Sequence, residues 1–223
     1  MSSTFAPRFD TLPAAQRALW PELAAIPREF VLYGGTALAL RLGHRVSVDF
    51  DFFTHDALDT RTLLRAAPWL RLARTLHEAV DTLTVLVATQ TGSVKVSFFG
   101  GIDHGRVGVP SRTRDGVLLV AALLDVGGCK VKVVQQRIEA KDYLDIAALL
   151  AAGLSLEQLL GAGMSLFGPA FNPLVAQKTL SYFEGGDLDG LPAATKQLLV
   201  NHAARELDPR ALPKLSGRLD LGD

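Results

Sequence analysis

The stretch Val46-Ser47-Val48-Asp49-Phe50-Asp51-Phe52-Phe53 constrains this chain more than any other. Strand geometry sends successive side chains to opposite faces. Val46, Val48, Phe50 and Phe52 are therefore expected on a core face, with Ser47, Asp49, Asp51 and Phe53 on the other. Two carboxylates one pleat repeat apart repel each other, and an apolar core offers them no partner. A divalent cation removes that penalty, because carboxylate oxygens are its preferred ligands. The spacing alone is met equally well by a solvated edge strand carrying two incidental acids.

The glycine pair Gly34-Gly35 narrows the choice. It stands between a β-prone run, Phe30 to Leu32, and a helical run, Thr36 to Leu42, that Gly43 is placed to cap. Backbone N–H groups at such a turn can meet an anion, and glycine lets phosphate approach without a Cβ in the way. Asp49 comes fourteen positions after Gly35, enough for a short helix and a return strand. Turn and acids can then converge on one ligand.

The rest of the chain supplies the frame. Asp10 to Glu29 reads as a helix with Pro13 in its first turn, and Arg61 to Leu76 as a helix broken near Pro68. Arg61, Arg65, Arg71 and Arg74 read as a solvated face of that helix, with an RNA-facing ridge as the alternative. Leu83, Val85 and Val87, then Val94, Val96 and Phe98, make two β-runs joined through Thr91-Gly92-Ser93 as a hairpin. From Ser155 onward the pattern is helical, with starts at Ser155, Asn172-Pro173 and Leu191-Pro192. The change of character near residues 115 to 125 divides a mixed core, residues 1–120, from a helical region, residues 121–223.

Composition excludes several classes. Of 223 residues, 48% are hydrophobic, which supports a packed core and argues against a disordered chain. The longest apolar run, Val117 to Leu124, is eight residues against the roughly 18 a membrane span needs. The lone Cys129 cannot form an internal disulfide, and the N-terminus shows no basic-then-apolar leader. The expected location is therefore the cytoplasm, with no membrane partner. With 23 basic against 23 acidic residues, nucleic acid could be held only through a local basic patch. No zinc spacing, Gly-x-Ser-x-Gly motif or Walker-type loop is present.

Residues 34–53, GGTALALRLGHRVSVDFDFF, resemble the signature of the AbiEii/AbiGii toxin family, nucleotidyltransferases of the DNA polymerase β-like superfamily. The agreement runs through the glycine pair, Thr36-Ala37-Leu38, Gly43-His44-Arg45, Ser47, and Asp49 with Asp51 before Phe52-Phe53. A second stretch, CKVKVVQQRIEAKDYLDIAALL at residues 129–150, resembles the family's Lys, then Arg seven residues on, then basic-Asp-x-x-Asp. Here these are Lys130, Arg137, Lys141-Asp142 and Asp145. Laid on one helix, Lys130, Arg137, Lys141 and Asp145 share a stripe of roughly 80° and Asp142 falls at its edge. That reading favours Asp145 as the acid facing the site and lets Lys141 pair with Asp145. The β-branched alternation from Cys129 to Val134 would also fit a strand. Many enzymes of the superfamily carry a third acid on a neighbouring strand. The expected strand here, Val94 to Phe98, shows Ser97 at that place.

The resemblance implies an α+β polymerase β-like nucleotidyltransferase fold, a small mixed sheet followed by a helical C-terminal region. It implies a metal-dependent enzyme that moves a nucleoside monophosphate from an NTP to a hydroxyl acceptor, an RNA such as a tRNA 3′ end. Asp49 and Asp51 would hold Mg²⁺ or Mn²⁺ and act in catalysis with Lys130 and Asp145. Gly34, Gly35, Thr36, Arg45, Ser47, Arg137, Lys141 and Asp142 would contact the nucleotide. The biological role implied is the toxin of a toxin–antitoxin or phage-defence pair, with a separate antitoxin protein as partner. Two rivals stand beside it: a protein hydroxyl as acceptor, and a catalytically silent nucleotide-binding module, which Ser97 suggests.

Overall fold

The computed structural model describes residues 3–222. The chain divides into two compact units. One comprises Met1–Gly105, Val109–Ala122 and Ser216–Asp223, and the other Arg106–Gly108 and Leu123–Leu215.

The first unit is built on a mixed sheet. Its strands are β1 Thr4–Phe5, β2 Val31–Tyr33, β3 Asp49–Phe53, β4 Arg74–Ala79, β5 Thr82–Thr89, β6 Gly92–Phe99, β7 Ser111–Thr113 and β8 Leu119–Val120, in the order β1-β7-β8-β2-β3-β6-β5-β4. The acid strand β3 lies inside the sheet, antiparallel to β2 and parallel to β6. Its even-numbered side chains, Phe50 and Phe52, are fully buried. Phe52 stacks on Phe98 at 5.4 Å, Phe98 meets Phe30 edge-on at 5.4 Å, and Phe50 lies 6.3 Å from Trp20. Each buried ring contributes about 2–3 kcal/mol, so this face fixes the register that presents the odd-numbered residues on the opposite side. Helices α1 Ala14–Leu19, α2 Gly34–Leu42 and α3 Thr60–Ala66 complete the unit. Gly43 caps α2 in the left-handed conformation, φ +68°.

The second unit is helical: α4 Leu123–Val133, α5 Ala140–Ala151, α6 Leu156–Phe167, α7 Pro173–Thr179 and α8 Ala193–Ala203. Ser155 and Gln158 form a reciprocal capping box at the start of α6, and Asn172 accepts from Leu174 N and Val175 N at the start of α7. Among the described residues, no single helix is long and apolar enough to cross a membrane.

Several local expectations need correction. The ladder begins at Asp49, not Val46, and Val46 and Val48 are more than half exposed. Ser47 is instead drawn inward by its N–H bond to the Thr11 carbonyl and by Thr36, so the alternation holds only where the ladder does. The helix read over Asp10 to Glu29 is three short pieces, because Pro21 follows Trp20 and turns the chain into a 3-10 segment. Arg61 to Leu76 is helical only to Ala66. Past Pro68 a 3-10 turn leads into β4, where Arg74 pairs with Leu86 of β5. Residues 129–150 are two helices separated by a turn over residues 134–139. The single stripe drawn through Lys130, Arg137, Lys141 and Asp145 therefore does not exist.

Candidate active site

Asp49, Asp51 and Phe53 share the open face of β3. In the ladder Asp49 stands opposite Lys95 and Asp51 opposite Ser97 of β6, while Asp51 also faces Tyr33 of β2. Lys95 Nζ lies 2.9 Å from Asp49 Oδ2, with both side chains partly exposed. Ser97 is buried, and its hydroxyl accepts from Thr84 Oγ1 at 3.3 Å. The neighbouring strand thus offers an ammonium beside one acid and a hydroxyl beside the other.

The glycine turn closes against the same acids. Gly34 has φ +72°, and a Cβ placed on it would lie 2.7 Å from Asp51 Oδ2. A Cβ on Gly35 would collide with the Arg45 guanidinium and come within 3.2 Å of Ser47 Oγ. At Gly34 conformation and close approach both favour glycine, whereas at Gly35 a Cβ would have to push aside the flexible end of Arg45. Because α2 starts at Gly34, its first-turn N–H groups have no partner within the helix and suit an anion. Buried Thr36 binds Ser47 Oγ at 2.8 Å and donates to the Asp49 carbonyl. Arg45 is steadied by Nη1 donating to the Val46 carbonyl at 3.0 Å. Gly34, Gly35, Thr36, Arg45, Ser47, Asp49 and Asp51 are accordingly brought together in the sheet unit.

Sequence reasoning missed three features here. Tyr33 stacks on Phe53 at 4.8 Å with the rings 11° apart, and His104 meets Tyr33 edge-on at 6.2 Å. The Lys95–Asp49 pair was equally unforeseen, although Lys95 was visible on the polar face of its strand.

In the helical unit Lys130, Asp142 and Asp145 are buried together. Lys130 Nζ lies 2.7 Å from Asp142 Oδ1 and 2.6 Å from Asp145 Oδ2. Arg137, half-exposed, donates to both oxygens of Asp142 at 2.8 and 3.1 Å. Burial alone would raise the Asp142 carboxyl, but Arg137 and Lys130 outweigh it and hold the group below its ordinary value. Both acids engage Lys130, so the preference for Asp145 over Asp142 has no basis in the geometry. Lys141 pairs with Glu139 at 2.6 Å rather than with Asp145. Nearby, buried Asp125 accepts from Val107 N at 2.7 Å and Gly108 N at 3.1 Å, and burial pushes its carboxyl up to about 6. Burial also pushes the Cys129 thiol up to about 12, which leaves it inert as a nucleophile near neutrality.

No group of three or more His, Cys, Asp or Glu placed to hold a metal occurs among the described residues. Magnesium sites on nucleotides are commonly made by one or two carboxylates, with phosphate and water supplying the rest. The Asp49–Asp51 pair, facing a glycine turn that a Cβ would obstruct, fits that kind of site.

These features define a nucleotidyltransferase-type fold, and comparison with known proteins agrees. The family described as "Nucleotidyl transferase AbiEii toxin, Type IV TA system" matches residues 18–194, and the chain belongs to that family. An uncharacterized protein of Aquifex aeolicus (strain VF5) is 34% identical over 137 residues, 60% of this chain and 64% of that protein. The chain thus spans a little under two thirds of this curated relative. The fold is shared with MenT4, a nucleotidyltransferase toxin from Mycobacterium tuberculosis H37Rv, at a TM-score of 0.55 and 14% identity, covering 85% of this chain and 90% of that one.

Proposed function

We propose that this protein is a toxin that transfers a nucleoside monophosphate from an NTP to a hydroxyl acceptor. The observation that carries the reading is the packing of the Gly34-Gly35 turn onto Asp51 and Arg45, which sets carboxylates, a guanidinium and a helix N-terminus around one small space. The acceptor oxygen attacks the α-phosphorus, the bond to the β-phosphate bridging oxygen breaks, pyrophosphate leaves and the hydroxyl proton passes to water. Asp49 and Asp51 would hold Mg²⁺ or Mn²⁺, which when bound offsets phosphate charge and acidifies the attacking hydroxyl.

The chain's own groups do the rest. The first N–H groups of α2 and the Arg45 side chain receive phosphate oxygens. Thr36 and Ser47 fix the main chain at Asp49, so that the backbone carrying the carboxylate is already in place. The stacked Tyr33–Phe53 pair forms a stiff wall beside Asp51. In the helical unit, Arg137 and Lys141 are partly exposed, and the resemblance assigns them to phosphate or acceptor. Asp142 and Asp145 hold Lys130, which the resemblance assigns to catalysis. Family membership supports an antitoxin protein as partner. A role in phage defence, a cytoplasmic location and RNA, such as a tRNA 3′ end, as the acceptor belong to the same proposal and rest on the sequence resemblance alone.

One observation favours a second reading, a silent nucleotide-binding module: Ser97 stands beside Asp51 where many superfamily enzymes have an acid. Each α-labelled NTP in turn, incubated with the protein, Mg²⁺, cellular RNA and cellular protein, separates the possibilities. Label entering RNA and absent with Asp49→Asn/Asp51→Asn supports transfer to RNA, and label in a protein band moves the acceptor to a protein hydroxyl. Nucleotide binding with no transfer to either acceptor supports the silent module.

A further inference from the structure

Lys95 has no part in the motifs that carry the family resemblance, yet it is paired with one of the two site acids. The parallel ladder sets it directly beside Asp49, with Nζ 2.9 Å from Oδ2, and its side chain is 42% exposed on a flexible stem. The Arg45 guanidinium also lies at this site, against Gly35. Two carboxylates, Asp49 and Asp51, are therefore accompanied by two cations, Lys95 and Arg45, and the four side chains together carry no net charge.

That balance has a chemical consequence. A bare divalent cation gains little from a neutral site, and to reach Asp49 it must first separate the carboxylate from the lysine. A metal ion arriving on a triphosphate meets a different situation. The complex carries net negative charge, its phosphate oxygens give the displaced ammonium a new partner, and Asp49 is released to the metal in the same exchange. We propose that Lys95 is an internal counter-ion, a positioning residue that makes metal capture by Asp49 conditional on nucleotide. Metal and nucleotide then bind with positive coupling, each raising the affinity for the other by the same factor. The inference rests on the reading of Asp49 and Asp51 as metal-holding acids.

Manganese titration of the full-length protein, followed by the electron paramagnetic resonance signal of unbound Mn²⁺, tests this without reference to turnover. The titration is run with wild type, Lys95→Met, Lys95→Arg and Asp49→Asn, each with and without an α,β-methylene NTP analogue. Removing one cation next to an exposed metal ligand should tighten bare Mn²⁺ binding about tenfold. The enhancement produced by the analogue should fall by a similar factor. Lys95→Arg, which keeps the charge, should behave as wild type. Equal bare-metal affinity in wild type and Lys95→Met would overturn the counter-ion role while leaving the acid site in place. If instead wild type binds Mn²⁺ no better than Asp49→Asn even with the analogue present, the acid-site reading fails, and the role of Lys95 fails with it.

Discussion

Replacing Lys130 with methionine asks what the buried charge cluster does for the helical unit. The wild-type ammonium is 7% exposed and lies 2.7 and 2.6 Å from two carboxylates that are wholly buried. Methionine fills a similar volume and leaves Asp142 and Asp145 facing each other without their shared cation. Removing one partner of a buried pair costs about 3–5 kcal/mol, because the remaining charge stays desolvated. Arg137 still neutralises Asp142 through two hydrogen bonds, so the lower end applies, about 3 kcal/mol. For a chain of 223 residues that corresponds to a fall in Tm of about 6–12 °C. Thermal unfolding followed by circular dichroism near pH 7.5 measures it. Adding Asp145→Asn to the variant removes the stranded charge and should recover about half of the loss. A Lys130→Met protein melting within about 2 °C of wild type, or a double variant that recovers nothing, would refute a stabilising role for the cluster.

Two further perturbations address other parts of the molecule. Gly34→Ala meets both a positive φ and a Cβ 2.7 Å from Asp51 Oδ2. Displacing the acid by even part of an ångström should lower transfer about 100-fold while costing only about 1–2 kcal/mol in a urea melt. Transfer retained within about threefold would show that the turn need not hold Asp51 where it is. Asp125 gives a pH signature. Its folded value, about 6, lies above the unfolded value, so the folded chain binds more protons. Its contribution is most favourable at and below about pH 4 and declines as pH rises through 6. The wild type should thus lose stability relative to Asp125→Asn across that window in urea melts at successive pH values. Parallel curves for the two proteins would contradict the assignment.

Features fixed by local chemistry were legible in the sequence. The Gly34-Gly35 turn, the Gly43 cap, the Ser155 and Asn172 helix starts and the hairpin at Thr91-Gly92-Ser93 each depend on a few adjacent residues. Features fixed by distant partners were not. Strands of two or three residues, such as β1, β7 and β8, have no period to detect, and only their neighbours make them strands. β4 carries helix-compatible spacing and is exposed along its length, so its pairing with β5 decides its form. Helical spacing alone drew one helix through residues 129–150. The turn after Val133 lets Lys130 reach Asp142 and Asp145 from a separate helix. The acids themselves were read from sequence, but the cation beside Asp49 came from the register of β3 against β6.

The two units are interleaved along the chain, and this governs the order in which they can be finished. Residues 106–108 belong to the helical unit, residues 109–122 return to the sheet unit, and residues 216–223 return to it again after the helices. That last stretch is part of the sheet unit's structure: Leu219 is buried, and Arg218 grips Asp56 with two hydrogen bonds at 3.1 and 2.7 Å and also binds Asp220. On a ribosome adding about 5–20 residues per second, roughly 5–20 s separate the making of residue 122 from that of residue 216. During that interval the nascent sheet unit has its acid strand and glycine turn but lacks its closing strap, and the helical unit emerges before the strap does.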